Sequence, residues 1–253
     1  PGHADLCGGL KYEQHDLRDV LERASARETA IRTAVGAVCR QFLAAFDIGA
    51  SSQIISIGGE TKNTGARIAR AEQEGDSVGG LFEVRFTGVP VGLGSHTHWD
   101  EKLSANLART LMSMQAIKGV AFGLGFGLAD LPGSKAHDPI VYNKSKKQFT
   151  RLTNNAGGFE GGMTTGEPII IRAVMKPIAT LIKPLGTINI KTKKSTLASV
   201  ERADTCAVHS ASVVAENILC VDLANAFLQK FGGDSLQETS RNYRGYLKQI
   251  KDY

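Results

Sequence analysis

The residues best suited to chemistry fall in a few short stretches. The opening PGHADLCGGLK carries His3 and Asp5 in a glycine-rich loop. Histidine changes charge near neutral pH and is the commonest acid or base in catalysis, yet taken alone His3 reads as a structural loop histidine. ERASARET gathers Arg23, Ser25 and Arg27, two fixed cations and a hydroxyl, around a helix start. Backbone N–H groups there attract anions, phosphate above all. A capped surface helix with solvated arginines accounts for the same residues. Lys176 stands where PIIIRAVM ends, placed to meet a phosphate. Asp204 alone reads as a helix-start or turn aspartate. His96 and His98 have one residue between them and no further Cys or acidic partners, a weak metal pattern that fits a surface strand end better.

The elements that must position these groups follow from patterning. Ser25 three residues before Glu28 is a capping box, so a helix is expected from there, with Ile31, Val35, Val38, Phe42 and Phe46 as the core stripe and Arg32 and Arg40 elsewhere on the surface. SSQIISIGG reads as a strand, and residues 61–76 as a loop or short helix. Phe82, Val84 and Phe86 alternate with Glu83 and Arg85, a strand with one wet face and hence an antiparallel sheet. Asp100 precedes a helix over 101–116 through Leu103, Leu107, Leu111 and Met114. GVAFGLGFG has glycines at 123, 125 and 127 with no helix pattern following, which excludes a dinucleotide fingerprint. TNNAGGFEGGMTTG is a tight turn or a ligand loop. Pro168 to Met175 reads as a buried strand, and Val214, Ile218, Val221, Ala224, Leu228 and Phe231 as a helix stopped by Gly232 and Gly233. VERAD echoes LERAS, through two related halves or through chance.

Composition narrows the class. With 253 residues, 42% hydrophobic and 22% charged, the chain suits one globular domain spanning 1–253. No apolar run is expected to cross a bilayer, and no membrane partner is expected. Cys7, Cys39, Cys206 and Cys220 are scattered, which favours reduced thiols in a cytoplasmic protein over disulfides or zinc. A net charge of +5 fits an acidic partner as small as a phosphorylated metabolite. The basic clusters Lys144–Lys147 and Lys191–Lys194 lack aromatic platforms, so nucleic acid is not an expected partner. The chain opens on Pro1 without an initiator Met or leader, and an upstream part is expected.

PGHAD, ERASARET, PVGLGSHTHWDEKL, SMQAIKG, TNNAGGFEGGMTTGEPI, KPIAT, and ERAD before VVAE occur in this order from Pro1 to about Gly233. Together they resemble chorismate synthase. The resemblance implies an α+β fold, a β-α-β sandwich with central helices between antiparallel sheets, in a homotetramer. It implies a carbon–oxygen lyase that removes phosphate and a proton from 5-enolpyruvylshikimate 3-phosphate by anti-1,4 elimination, the last shikimate-pathway step before aromatic amino acid biosynthesis branches. Reduced FMN is required without net redox change. A non-catalytic anion-binding or scaffold protein of the same fold is the alternative.

Carried over by motif, the flavin site comprises Arg23, Ala24, Ser25, Gln115, Ala116, Gly161, Lys176, Pro177, Ile178, Ala179, Thr180 and Arg202, with no metal. His3 and Asp204 become the catalytic pair, His3 protonating the flavin near its pyrimidine carbonyl and Asp204 helping to remove the proton on its nitrogen 5. Whether NADPH reduces the flavin on this protein or a separate flavin reductase does so stays open. The resemblance further implies a preceding segment with a GESHG motif, whose histidine is the other catalytic one, and with phosphate-binding arginines. These are not in the sequence, and a chain truly starting at Pro1 is expected to be weakly active or inactive. Residues 59–76 are shorter than in relatives. Ala121, Ala203 and His209 stand where relatives commonly carry Glu, His or Ser, and Pro.

Overall fold

The computed structural model describes residues 1–145 and 147–253, so Lys146 of the first basic cluster lies outside the described residues. The opening loop lasts four residues before helix α1 (Asp5–Tyr12). Helix α2 (Leu17–Arg23) is capped by Asp16, whose carboxylate accepts from the Arg18 N–H at 2.9 Å. The helix start expected at Ser25 is displaced. Ser25 Oγ accepts from Arg27 N at 3.3 Å and caps a 3-10 turn, Ala26–Glu28, and α3 runs Thr29–Ala44. The capping box does not close, because the Ser25 N–H already donates to Glu22 O and the Glu28 carboxylate is held by other partners.

Strand β1 (Gly49–Ile57), helix α4 (Thr64–Gln73) and strand β2 (Gly80–Thr87) follow. A 3-10 turn at Trp99–Glu101 precedes α5 (Leu103–Met112), shorter than expected, and its first N–H goes to Gly162 O. After β3 (Ile117–Phe122) come α6 (Gly133–Ala136), the hairpin β4 (Ile140–Asn143) and β5 (Gln148–Arg151), and the short pair β6 (Phe159–Glu160) and β7 (Met163–Thr164). Strand β8 (Ile169–Met175) leads into the pair β9 (Gly186–Ile188) and β10 (Ser195–Leu197). Helix α7 (Val208–Phe231) and α8 (Leu236–Lys251) close the chain.

The main sheet is antiparallel in the order β1-β2-β8-β3. Phe82, Val84 and Phe86 stand opposite Ala173, Ile171 and Ile169, giving one continuous apolar face under the helices. The other face is not simply wet. Glu83 is 3% exposed, because Arg172 Nε donates to it at 2.9 Å from directly across and Gln53 Nε2 at 3.0 Å from the other side. Ala121 also stands opposite Arg172, whose guanidinium Glu83 occupies.

Helix α7 lies on β1 and β2, α5 on β3, and α3 on α7. The α3–α7 contact is close: a Cβ on Gly36 would come within 2.2 Å of Asn217 O. The expected core stripe holds only at its far end, where Phe46 is buried and Phe42 packs against the core. Ile31, Val35 and Val38 are 67%, 50% and 69% exposed, while Gly36 and Leu43 face inward with Phe42 and Phe46 beside them. Arg40 is not a bystander, since it pairs with the buried Glu216 at 2.5 Å.

The expectation of no membrane-length apolar run also needs correcting. Among the described residues α7 is long and apolar enough, with mean hydropathy 1.5 over its best window, of which 67% is buried in the fold. A helix enclosed by sheet and helices is apolar around most of its circumference for that reason. Its stop at Gly232 is as expected, but the loop holding VERAD precedes the helix, whereas LERAS closes α2. Helix α8 was not foreseen. Its polar sequence hides a true cap, with Ser235 Oγ accepting from Glu238 N at 3.2 Å.

Candidate active site

The candidate residues gather where β8 leaves the sheet. At that end Met175 is paired with both Ile117 and Gly80, so the chain segments before β3, before β2 and after β8 emerge side by side. Lys176 N donates to Ala116 O at 2.9 Å, joining KPIAT to SMQA. Lys176 Nζ donates to Gly2 O, and a Cβ on Gly2 would lie 3.3 Å from that of Ala179, which seats the His3 loop on the same segment. Ser77 Oγ donates to Ile178 O at 2.6 Å and Val78 N to Thr205 O at 2.9 Å. The stretch Ser77–Gly79 is thereby wedged between KPIAT and the loop of Arg202 and Asp204. Gly79 has no room for a side chain, since a Cβ would fall 2.2 Å from Met175 O and 2.9 Å from Pro177 N.

ERASARET joins through its glutamate. Gln115 Nε2 donates to Glu28 Oε1 at 3.0 Å, Arg32 Nη1 reaches the same oxygen at 3.3 Å, and Arg32 Nη2 donates to Ser113 Oγ at 2.8 Å. The hydrogen bond from Gln115, then Arg32 and Arg23, hold the Glu28 carboxyl below the ordinary glutamate range against the opposing effect of burial. A second line of charges runs over the surface. Glu201 pairs with Arg18 at 3.6 Å, Arg18 with Glu22 at 3.6 Å, and Glu22 with Arg27 at 2.5 Å.

Gly2 and His3, Gln115 and Ala116, and Lys176 through Ala179 are therefore in one neighbourhood, with Asp204 one residue from Thr205 on its edge. Arg23, Arg202 and Asp204 are exposed, Ala24, Ser25 and Thr180 half-buried. Gly161 is apart. It lies against His96 and Met163, next to Gly162 at the start of α5, whereas Gln115 follows that helix's end. Ten residues of helix separate the two ends by about 15 Å.

Other glycines of the TNNAGGFEGGMTTG stretch serve the fold. Gly123 and Gly157 leave no room for a Cβ between them, and Asp138 accepts from Thr153 Oγ1, Asn155 N and Ala156 N. Among the described residues no group of three or more His, Cys, Asp and Glu is placed to hold a metal ion. His209 sits exposed in the first turn of α7, its carbonyl accepting from Ser212 Oγ at 2.8 Å, and Ala203 is half-buried.

Gln115 supplies the test of whether a flavin suits this place. Its Nε2 is used, but its Oε1 is buried without a hydrogen-bond partner among the described residues. A buried acceptor left over costs free energy unless a donor meets it. Ala116 follows it at φ 64° with its carbonyl bonded to Lys176 N, and Gly2 and Ala179 lie together on that lysine's segment. Such walls suit a flat ring that offers N–H donors and ends in phosphate. The residues present fit that group.

Sequence reasoning did not single out Glu28 as a bridge, nor Ser77, Val78 and Gly79. The glycine pair before a strand was the available signal for close backbone approach.

The chorismate synthase family model matches residues 1–228. The chain belongs to the chorismate synthase family. It is 48% identical to the chorismate synthase of Geobacter metallireducens, an alignment spanning all of this chain and 73% of that one. With that of Caldanaerobacter subterraneus subsp. tengcongensis it shares 52%, again over all of this chain and 73% of the other. The first alignment runs over 287 residues and the second over 255, so the former relative carries extra residues within the matched span and the latter almost none. A crystal structure titled as that of chorismate synthase superposes with a TM-score of 0.85 at 38% identity, covering 99% of this chain and 77% of that chain. The α+β fold with antiparallel sheets and the chorismate-forming lyase role of the chorismate synthase family stand on these matches, which lend the scaffold alternative no support.

Proposed function

We propose that this chain carries out the family's reaction on 5-enolpyruvylshikimate 3-phosphate, with residues 1–253 acting as one catalytic domain and reduced FMN bound at the end of the main sheet. The observation that supports this most is the seating of GHAD and SMQA on Lys176 of KPIAT, with the Arg202–Asp204 loop joined to KPIAT through Ser77–Gly79 and Gln115 Oε1 without a hydrogen-bond partner among the described residues. Arg23, Ser25, Lys176 and Arg202 would hold phosphate, since cations and a hydroxyl satisfy its oxygens. Ala24, Gln115, Ala116, Gly161, Pro177, Ile178, Ala179 and Thr180 would enclose the ring. Gly161 requires either movement of its loop or a site completed across copies of the chain, in keeping with the homotetramer.

In the reaction the C–O bond to phosphate breaks with its electron pair, a C–H proton is lost, and a new double bond takes up the remaining electrons. Reduced FMN, held by these residues, would supply transient electron density to the substrate without net redox change. The chain's own part is binding, orientation and proton handling. His3 would hold a proton on its ring at the loop seated on Lys176. Asp204 would accept one at its carboxylate from the other side. General acid and base groups so placed contribute about 100- to 10,000-fold.

A cytoplasmic site of action is proposed with this, as is a supply of reduced flavin either by NADPH at the protein or by a separate reductase. The test is an anaerobic assay of the full-length protein with chemically reduced FMN and 5-enolpyruvylshikimate 3-phosphate, chorismate being read by chromatography. Formation of chorismate is expected, and its absence would reject the reading. A parallel reaction with oxidised FMN and NADPH shows whether a reductase is needed.

A further inference from the structure

We propose that Asp5 is the positioning residue for His3 and makes Nε2 the nitrogen that exchanges the proton. This rests on the role given to His3 above. The two side chains meet at 2.6 Å, His3 Nδ1 to Asp5 Oδ1. An ionised carboxylate only accepts, so the nitrogen facing it must carry hydrogen. The neutral imidazole is thereby fixed with Nδ1–H toward Asp5 and a lone pair at Nε2, and the protonated ring keeps the same contact.

The backbone on either side makes this arrangement more than a chance surface pair. Gly2 O is tied by Lys176 Nζ, a residue 174 positions away, so the loop enters at a fixed place. Two residues beyond His3, Asp5 begins α1, where free N–H groups favour a negative charge. His3 is thus held between two anchored residues, with Asp5 bonded to its ring and Lys176 bonded to the carbonyl that precedes it. A carboxylate behind the far nitrogen fixes the ring's tautomer and orientation, and it stabilises the imidazolium once the proton arrives.

Asp5→Asn tests this directly, because an amide can present either N–H or C=O to Nδ1 and so no longer dictates the tautomer. Nitrogen-15 chemical shifts of the His3 ring, assigned by comparison with His3→Ala, report the tautomer without any assay of turnover. In the wild type the neutral ring is expected as the Nδ1–H form, and in Asp5→Asn as a mixture. Turnover with reduced FMN should fall about 10- to 100-fold in Asp5→Asn, less than the loss of an acid–base group itself, because Asp5 only orients His3. FMN affinity should stay within threefold, and Asp5→Glu should recover part of the rate.

Two outcomes separate the parts of the argument. Normal turnover of His3→Ala removes the acid–base role of His3 and leaves the tautomer measurement to judge Asp5 as an orienting group. An inactive His3→Ala beside an Asp5→Asn protein with full turnover and unchanged ring shifts overturns the role of Asp5 itself.

Discussion

Replacing Gly79 by alanine puts one carbon where the fold has none to spare. Its Cβ would stand 2.2 Å from Met175 O, 2.8 Å from Lys176 C and 2.9 Å from Pro177 N, all backbone atoms that cannot swing aside. Ordinary contact begins near 3.4 Å, so the two segments must part by about 1.2 Å. The Ser77 Oγ to Ile178 O bond, now 2.6 Å, would then stretch past hydrogen-bonding reach. Overpacking of this kind costs about 1–3 kcal/mol. Because the displaced segment is KPIAT itself, flavin binding should suffer more than global stability. Urea unfolding and anaerobic titration with FMN read the two effects, with Gly65→Ala as the control, since nothing lies within 4 Å of that Cβ. We expect Gly79→Ala to lose about 1–3 kcal/mol and at least tenfold in FMN affinity, and Gly65→Ala to match or slightly exceed the wild type in stability. Wild-type FMN affinity in Gly79→Ala would show that KPIAT is not a flavin wall.

Further expectations concern single charges. Asp204→Asn should bind FMN almost normally yet turn over at least ~100-fold more slowly, and near-normal turnover would remove Asp204 from the chemistry. Glu28 has its carboxyl held low in the folded chain, chiefly by Gln115, so its stabilising contribution is complete above the ordinary value of 4.5 and fades as pH falls below it. Glu28→Gln should therefore flatten the loss of stability below pH 4.5, and identical wild-type and variant urea midpoints from pH 3 to 7 would contradict this. Asp222 behaves oppositely, for burial raises its carboxyl and its Oδ2 has no hydrogen-bond partner among the described residues, beside a cavity of about 260 Å³ between α3, α5 and α7. A raised value costs stability as pH climbs through it, so Asp222→Asn should raise the urea midpoint more at pH 7 than at pH 4; a variant no more stable at either pH would refute the cost.

How far the sequence could be read depended on which neighbours decide the outcome. Phe82, Val84 and Phe86 announce their strand because period-two burial is local. Glu83 between them does not announce its burial, which depends on Arg172 lying across from it 89 residues later. Ile31, Val35 and Val38 keep helical spacing and are still exposed, the first two along the cavity beside α7, because spacing defines a stripe while Gly36 against Asn217 decides which stripe packs closely on α7. Helix α8 escaped notice since its face is mostly polar. At the site, the motifs pointed to the family's residues, and several do converge on Lys176. Of the groups that bring them together, Gly79 is signalled only by the glycine pair it belongs to, while Glu28, Ser77 and Val78 bond backbone atoms or bridge distant segments and leave no pattern in the sequence.

The tie between Gly2 and Lys176 also has a consequence for how the protein is made. Its two ends are 174 residues apart, so at about 5–20 residues per second the opening loop waits roughly 10 to 35 seconds on the ribosome for its anchor. Through that interval His3 and Asp5 have no fixed seat, whereas α1 and α2 can already form from nearby residues. The proposed flavin site therefore cannot assemble until the chain has passed residue 176, and a nascent chain arrested earlier holds the sequence of α1 to α6 without the anchor for its opening loop.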